Sequence, residues 1–241
     1  MPRHEIVSHD EWLKCRLDLL VHEKEATKSL EDLARKRRQM PWERVEQEYL
    51  FDTASGPRTL AELFEGRSQL IVYHFMFAPD WEQGCKSCSF WADNFNGTTV
   101  HLNQRDVTFT AISRAPLSKL LAYRDRMQWS FPWASSGGNA FNYDFHVSFT
   151  AEEVASGEVY YNYGVREIGT TDEQGISIFY RDPDTGAVYH TYSSHGRGID
   201  IVNGAYQFLD MTPKGRDEDH FDFSMSWLRR HDQYPPQGET Y

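Results

Sequence analysis

Hydrophobic residues near the start of the chain recur at helical spacing. Five leucines carry the pattern: Leu13, Leu17, Leu20, Leu30 and Leu33. Ser8 followed by Glu11 matches the signature of a capping box at a helix start, and Pro41 ends the run because it lacks a backbone N–H. The pattern predicts a helix over residues 8–40, with Cys15 as a half-buried apolar residue on it.

Strand and helix patterns then alternate. A run over residues 69–77 that is apolar except at Gln69 and His74 predicts a strand that is covered on both faces. From Cys85 onward, apolar residues at helical spacing predict a helix that ends at Gly97. Residues 107–111 alternate as a second strand, and Pro116 fits the first turn of a second helix. This half of the chain therefore predicts a β-α-β-α order.

The second half begins after a long aromatic stretch. Residues 175–181 and 187–192 have strand character, and the turn residues 182–186 between them predict a hairpin. Apolar positions from Ile199 to Leu209 then predict a last amphipathic helix. A β-α-β half followed by a β-β-α half is the layout of the thioredoxin-like α/β fold. The stretch from Trp129 to Gln174 is predicted to be an aromatic-rich insertion into that fold.

These elements suggest a division of the chain. We expect an N-terminal helical extension over residues 1–45 and a thioredoxin-like domain over residues 46–215, with the insertion at about 129–174. Residues 216–241 are expected to be a C-terminal tail. A chain of 241 residues, 39% of them hydrophobic, is long enough to bury one substantial core.

Two of the three cysteines lie three positions apart, at Cys85 and Cys88, between the predicted buried strand and the helix that follows. The first turn of a helix stabilises a thiolate, because free backbone N–H groups and the helix dipole supply partial positive charge there. Residues three positions apart share a helix face. The two thiols can therefore be oxidised reversibly to a disulfide, as a redox catalyst requires.

Charge and compartment narrow the possible partners. The formal net charge of −11 argues against nucleic acid or an anionic membrane, both of which would repel this chain. No apolar stretch near Met1 resembles an export signal, and the longest apolar run is too short to cross a bilayer. We therefore expect a cytoplasmic protein, and in that compartment Cys-x-x-Cys is more often catalytic or metal-binding than a permanent bridge.

Four residues near the pair are candidates for substrate binding. Trp81 and Trp91 are expected to lie nearest the sulfurs because they are close in sequence, and Lys86 and Ser87 lie between the cysteines. Lys86 favours the thiolate by its charge, and Ser87 can donate a hydrogen bond to it. Nearby carboxylates oppose ionisation of the thiol, namely Asp80, Glu82 and Asp93.

Two other interpretations of the pair are open. It could be an inert buried pair or a structural bridge. It could also belong to a metal site, but structural zinc requires four ligands. No second Cys-x-x-Cys is present, and the spacing of the histidines singles out none of His74, His101, His190 and His195. We therefore expect no metal and no organic cofactor.

Several segments resemble one known family. They are residues 77–81, 85–95, 129–136, 141–145, 179–182, 190–193 and 209–216. The resemblance is to a thioredoxin-like family of bacterial proteins, domain of unknown function 899, which are described as predicted dithiol-disulfide oxidoreductases. It implies a thioredoxin-like fold and a reactive cysteine pair, and it leaves the substrate open. By analogy with thioredoxin relatives, Cys85 would be the attacking thiolate and Cys88 the resolving thiol.

The sequence departs from thioredoxins at two places. Thioredoxins carry a proline inside Cys-x-x-Cys and a cis-proline before the third sheet strand, whereas this chain has Lys86-Ser87 and Glu173-Gln174-Gly175. A peroxiredoxin-like thiol peroxidase is an alternative. That family, however, places a serine or threonine three residues before its reactive cysteine, where this chain has Glu82.

The sequence thus predicts a thiol-disulfide oxidoreductase that acts on a protein or small-molecule thiol or disulfide. An alternative from another class is a thioredoxin fold that serves only as a binding module, with the aromatic insertion as its recognition surface and the cysteines incidental. The sequence gives no indication of the electron donor, the direction of transfer or the oligomeric state.

Overall fold

A computed structural model describes residues 4–235. The helices are α1 (His9–Arg38), α2 (Lys86–Ala92), α3 (Thr99–Asn103), α4 (Leu117–Arg126), α5 (Phe141–Asp144), α6 (Ala151–Ser156) and α7 (Gly204–Leu209). The strands are β1 (Glu43–Arg44), β2 (Leu50–Thr53), β3 (Gly56–Thr59), β4 (Gln69–His74), β5 (Val107–Ser113), β6 (Trp133–Ser135), β7 (Val159–Tyr161), β8 (Gly164–Arg166), β9 (Gly175–Arg181) and β10 (Val188–His195). Short 3₁₀ helices span Glu62–Phe64, Gly196–Val202 and His231–Gln233.

The chain forms two units, the first ending at Trp42 and the second beginning at Glu43. The first contains α1, which starts with the predicted capping box between Ser8 and Glu11. Cys15 on this helix is exposed, so the expectation of a half-buried residue was wrong. No helix within residues 4–235 has the length and apolar character needed to span a membrane. The proposed three-part division of the chain stays a prediction.

The second unit is built on a mixed sheet. In the described part of the chain its strand order is β1-β10-β9-β4-β5-β6-β2-β3. Strands β4 and β5 pair in parallel, and β9 pairs antiparallel with both β4 and β10. Strand β4, helix α2 and β5, followed later by the β9-β10 hairpin and α7, make the thioredoxin-like fold that the sequence predicted.

Two hydrophobic cores lie on the two faces of this sheet, because successive residues of a strand point to opposite sides. Tyr73 belongs to the core that contains Cys88 and Trp91 of α2. Its neighbour Val72 belongs to the other core, which also contains Phe51 of β2. Strand β4 is therefore covered on both faces, as its largely apolar sequence predicted.

Three local predictions need correction. Residues around Gly56, for which no strand was predicted, make the β2-β3 hairpin, because Gly56 adopts a positive φ of 98° that suits a tight turn. The expected last helix is broken at Asn203, whose backbone is extended and whose side chain caps α7 by accepting from Tyr206 N–H at 3.2 Å. The insertion supplies one strand of the main sheet, β6, beside β5.

Candidate functional site

Cys85 lies at the junction between β4 and α2. It is the N-cap residue of α2, and its sulfur accepts a hydrogen bond from the backbone N–H of Cys88 at 3.5 Å. Its own backbone N–H donates to the carbonyl of Met76 at 3.1 Å, which ties the loop before α2 to the end of the preceding segment. The predicted position of the pair at a strand-to-helix junction is therefore confirmed.

Gly84 determines how the chain enters this helix. It is buried, and a Cβ atom at this position would lie 2.7 Å from the ring of Phe75 and 2.9 Å from the ring of Tyr123. Because real Cβ atoms do not approach other atoms so closely, the loop can pass here only with glycine. The packing against these two rings fixes the backbone immediately before Cys85.

The two sulfurs have different surroundings. Cys88 is fully buried, and its sulfur accepts from the backbone N–H of Met76 at 3.4 Å and lies 3.6 Å from the side-chain oxygen of Gln174. Cys85 is partly exposed. Tyr73 donates its hydroxyl proton to the Cys88 carbonyl at 3.1 Å. The inner sulfur is thus held by the core, while the outer one can be reached from outside.

These different surroundings shift the pKa values of the two thiols in opposite directions. A hydrogen bond from the Cys88 side chain, helped by backbone N–H groups of Cys88 and Ser87, lowers the pKa of Cys85 to about 7 against the opposing effect of burial. Burial raises the pKa of Cys88 well above its usual value. Above the pKa of Cys85 the pair therefore holds a thiolate at Cys85 and a protonated thiol at Cys88.

Glu173 and Gln174 complete the surroundings of the pair. They directly precede β9, the position at which thioredoxins carry their cis-proline. The negative charge of Glu173 raises the pKa of Cys85, and burial raises the pKa of Glu173 itself. The sequence analysis did not name these two residues as site residues. The signal that could have found them was their position at the start of the third strand of the thioredoxin-like core, which packs beside β4.

Replacing Glu173 with glutamine should make Cys85 more reactive at low pH. Removal of a negative charge near the sulfur favours the thiolate, so the pKa of Cys85 should fall below its value in the unmodified protein. We expect alkylation of Cys85 by iodoacetamide, followed by mass spectrometry between pH 5 and 9, to have its midpoint near 7 in the unmodified protein. In Glu173→Gln the midpoint of the alkylation profile should lie at a lower pH, and the rate of alkylation at pH 6 should be about twofold higher.

The control is Glu82→Gln, which removes an exposed carboxylate three residues before Cys85. Solvent and salt screen the charge of such an exposed carboxylate. The pH profile of Cys85 alkylation in Glu82→Gln should therefore match that of the unmodified protein. Equal shifts in both variants, or a rise in the Glu173→Gln midpoint, would contradict the role given to Glu173.

The outer face of the pair opens into a cavity of about 410 Å³. Several separate parts of the chain form its walls: α2, the residues before β9, the 3₁₀ helix Gly196–Val202, α7, and residues 223–225 near the C-terminus. The lining includes Cys85. A molecule in this cavity would therefore lie against the sulfur that ionises more readily.

The four residues predicted to bind substrate occupy different places. Ser87 and Trp91 line the cavity, although Trp91 is almost fully buried and donates its indole N–H to the carbonyl of Ile199 at 3.0 Å. Trp81 lies outside the lining, packed against the core, and Lys86 donates to the carbonyl of Ser226 at 3.4 Å. A substrate-binding role for each of them stays a prediction.

Within residues 4–235, no group of three or more histidine, cysteine, aspartate or glutamate side chains is arranged to hold a metal ion. His74 is buried and hydrogen-bonded to Ser177 at 2.8 Å, and burial lowers its pKa to about 3. His190 is hydrogen-bonded to Ser193 at 2.7 Å. These histidines therefore pack as neutral side chains within the fold.

The fold and the site together define a thioredoxin-fold protein with a Cys-x-x-Cys pair at the first helix after its central strand. The chain belongs to the family described as bacterial protein of unknown function (DUF899), whose family model matches residues 1–234. A search of curated proteins finds no match.

Solved structures of peroxiredoxins are similar in fold. Peroxidoxin BcpB from Mycobacterium tuberculosis is 14% identical, with a TM-score of 0.44, and the match covers 68% of this chain and 94% of that one. A cysteine-to-serine mutant of peroxiredoxin Q from Xanthomonas campestris is 14% identical, with a TM-score of 0.42 and coverage of 66% and 90%. The Xylella fastidiosa PrxQ mutant is 13% identical, with a TM-score of 0.40 and coverage of 66% and 89%. The fold assignment rests on the strand order given above.

Proposed function

We propose that this protein is a thiol-disulfide oxidoreductase in which Cys85 attacks and Cys88 resolves. The observation that carries the proposal is the difference between the two sulfurs. The outer sulfur accepts hydrogen bonds at a helix start and lines a cavity, while the inner one is a buried thiol three residues away. An attacking thiol works best when its pKa is near the ambient pH, and the pKa of Cys85 is about 7.

The reaction balances without a bound cofactor. The Cys85 thiolate attacks one sulfur of a substrate disulfide, forms a mixed disulfide and releases the first half of the substrate as a thiolate. The Cys88 sulfur then attacks that of Cys85, which closes the intramolecular disulfide and releases the second half as a thiol carrying the Cys88 proton. Two electrons have passed from the pair to the substrate. A separate dithiol reductant must return them before the next cycle.

The test is a redox titration of Cys15→Ser, which removes the exposed third cysteine and leaves only the pair. We expect equilibration in glutathione and dithiothreitol buffers to interconvert a form with two alkylatable thiols and a form with none that is 2 Da lighter. The midpoint should lie between about −270 and −120 mV, the range of thioredoxin-fold dithiols.

Two results would count against the proposal. Thiols that stay reduced in every buffer would leave the pair without redox chemistry, and a disulfide that no thiol buffer can reopen would make it a structural bridge. Either result would favour the alternative of a thioredoxin fold used only for binding.

A further inference from the structure

We infer that the substrates of this site are small thiols or disulfides with an apolar body, and that protein disulfides are excluded. The inference rests on the proposed function of the Cys85 and Cys88 pair and adds its substrate class. Its basis is the C-terminal segment, defined here as residues 216–235, which forms one wall of the cavity beside Cys85. Thioredoxin-like proteins that act on other proteins need an open surface around the reactive sulfur, since a folded partner must bring its own disulfide to it.

The C-terminal segment is bound directly to the loop that carries the cysteines. Arg230 donates to the carbonyl of Gly84 at 2.6 Å and to the hydroxyl of Tyr123 at 2.8 Å. Lys86, which lies between the cysteines, donates to the carbonyl of Ser226 at 3.4 Å. The segment therefore lies across the start of α2, where a protein partner would have to dock.

Further contacts hold the segment against helices α2 and α4. Leu228 is fully buried, and the ring of Trp227 packs edge-on against Phe90 with centroids 5.7 Å apart. Arg126 and Asp232 form an ion pair at 2.7 Å, in which both side chains are about one-third exposed. These contacts spread over residues 226–232, so removing the segment from the site would break several of them together.

The cavity that remains is largely apolar. Its apolar lining residues come from five parts of the chain: Met76, Trp91, Tyr161, Tyr206, and Phe223 with Met225. Charged groups are present too, namely Glu173, Arg197 and Asp200, and the last two form an ion pair at 3.0 Å. A ligand with an apolar body gains most from such walls, because removing apolar surface from water is favourable.

The size of the cavity agrees with this assignment. A volume of about 410 Å³ lies in the range of small-molecule sites. In the proposed reaction the half of the substrate that stays attached to Cys85 as a mixed disulfide must fit there until Cys88 releases it. An apolar half of modest size fits these walls, whereas the chain around a protein disulfide would have to displace the C-terminal segment.

The test compares three disulfides as oxidants of the reduced Cys15→Ser protein: lipoamide, which is small and apolar; cystine, which is small and charged; and insulin, a protein. Stopped-flow loss of thiols gives the second-order rate constants. We expect lipoamide to react at least about tenfold faster than cystine, since an apolar pocket discriminates by about that factor for each methylene group or two. Insulin should not be reduced at measurable rate.

A double variant tests the wall itself. Phe223→Ala with Met225→Ala removes two apolar side chains from the cavity. Phe223 is exposed, and Met225 packs partly buried against the core, so thermal unfolding of the variant is measured as well. We expect the lipoamide rate constant to fall about tenfold, with the alkylation midpoint of Cys85 unchanged. The matched control is Phe208→Ala, an exposed phenylalanine of α7 that lies outside the cavity lining, and it should react like the unmodified protein.

The outcomes separate the two proposals. Reduction of insulin at a rate comparable to that of lipoamide, or a double variant as fast as its control, overturns the substrate class and leaves the oxidoreductase function standing. Failure of all three disulfides to oxidise the pair overturns the oxidoreductase function, and the substrate class falls with it.

Discussion

Replacement of Cys85 with serine is expected to abolish disulfide reduction, with a loss of at least about 1,000-fold in turnover. A serine hydroxyl does not ionise near neutral pH and cannot form a mixed disulfide, so the first step has no nucleophile. Cys88 cannot replace it, because that sulfur is fully buried and burial raises its pKa well above the usual value. The measurement is steady-state reduction of lipoamide with an excess of a dithiol reductant, corrected for the uncatalysed rate.

Cys15→Ser is the matched control for this prediction. It makes the same chemical change at an exposed cysteine of α1, and it should keep full activity. Thermal unfolding of both variants should stay close to that of the unmodified protein, which would separate loss of chemistry from loss of fold. Activity retained in Cys85→Ser would show that the cysteine pair does not carry the reaction.

Replacement of Cys88 with serine is expected to trap the intermediate. Cys85 can still attack, since it keeps its place at the start of α2 and the backbone N–H that points at its sulfur. The buried hydroxyl that replaces Cys88 cannot displace the bound half of the substrate. The mixed disulfide should therefore accumulate to about one equivalent, while multiple turnover falls to the rate at which external thiols cleave it.

Mass spectrometry of Cys88→Ser combined with Cys15→Ser, after reaction with diethyl disulfide, checks this prediction. Diethyl disulfide is linear, so its second half leaves as ethanethiol, the adduct should add the mass of one ethylthio group, and peptide mapping should place it on Cys85. The same reaction in Cys15→Ser alone should give no lasting adduct and a closed pair 2 Da lighter. An adduct that accumulates equally in both proteins would remove Cys88 from the resolving role.

The core elements and the position of the cysteines could be predicted from sequence because their signals are local. The apolar run of β4 predicted a strand covered on both faces, and the turn residues 182–186 predicted the β9-β10 hairpin. In that turn the Asp182 side chain accepts from the backbone N–H of Asp184 at 2.9 Å and of Thr185 at 2.8 Å. Gly186 has a positive φ of 74°, which glycine adopts without strain.

Other features depend on contacts between distant parts of the chain, which no local pattern reveals. Gln174 reaches the Cys88 sulfur, 86 positions away in sequence, and nothing in its neighbours indicates that contact. The β2-β3 hairpin was missed because its four-residue strands are short and Pro57 lies in one of them. In the structure β2 also pairs antiparallel with β6, and this pairing stabilises strands that are too short to be stable alone.

The C-terminal segment shows the same limitation for charged residues. Arg230 and Asp232 look in sequence like residues of a solvated tail. In the structure each binds a partner more than 100 positions away, Tyr123 and Arg126 respectively. The sequence alone does not show whether a polar side chain will be solvated by water or bonded to another group of the protein. Residues 236–241 of the predicted tail lie outside the described part of the chain.

The origin of one cavity wall in residues 223–225 has a consequence for biosynthesis. A ribosome makes the chain from its N-terminus, and domains fold as they emerge, so the strands and the cysteine helix exist before the last wall has been made. Until residues 223–225 leave the ribosome, the Cys85 sulfur lacks this wall of the cavity. In the nascent chain the Cys85 side chain is therefore more open to the surrounding water than in the folded protein.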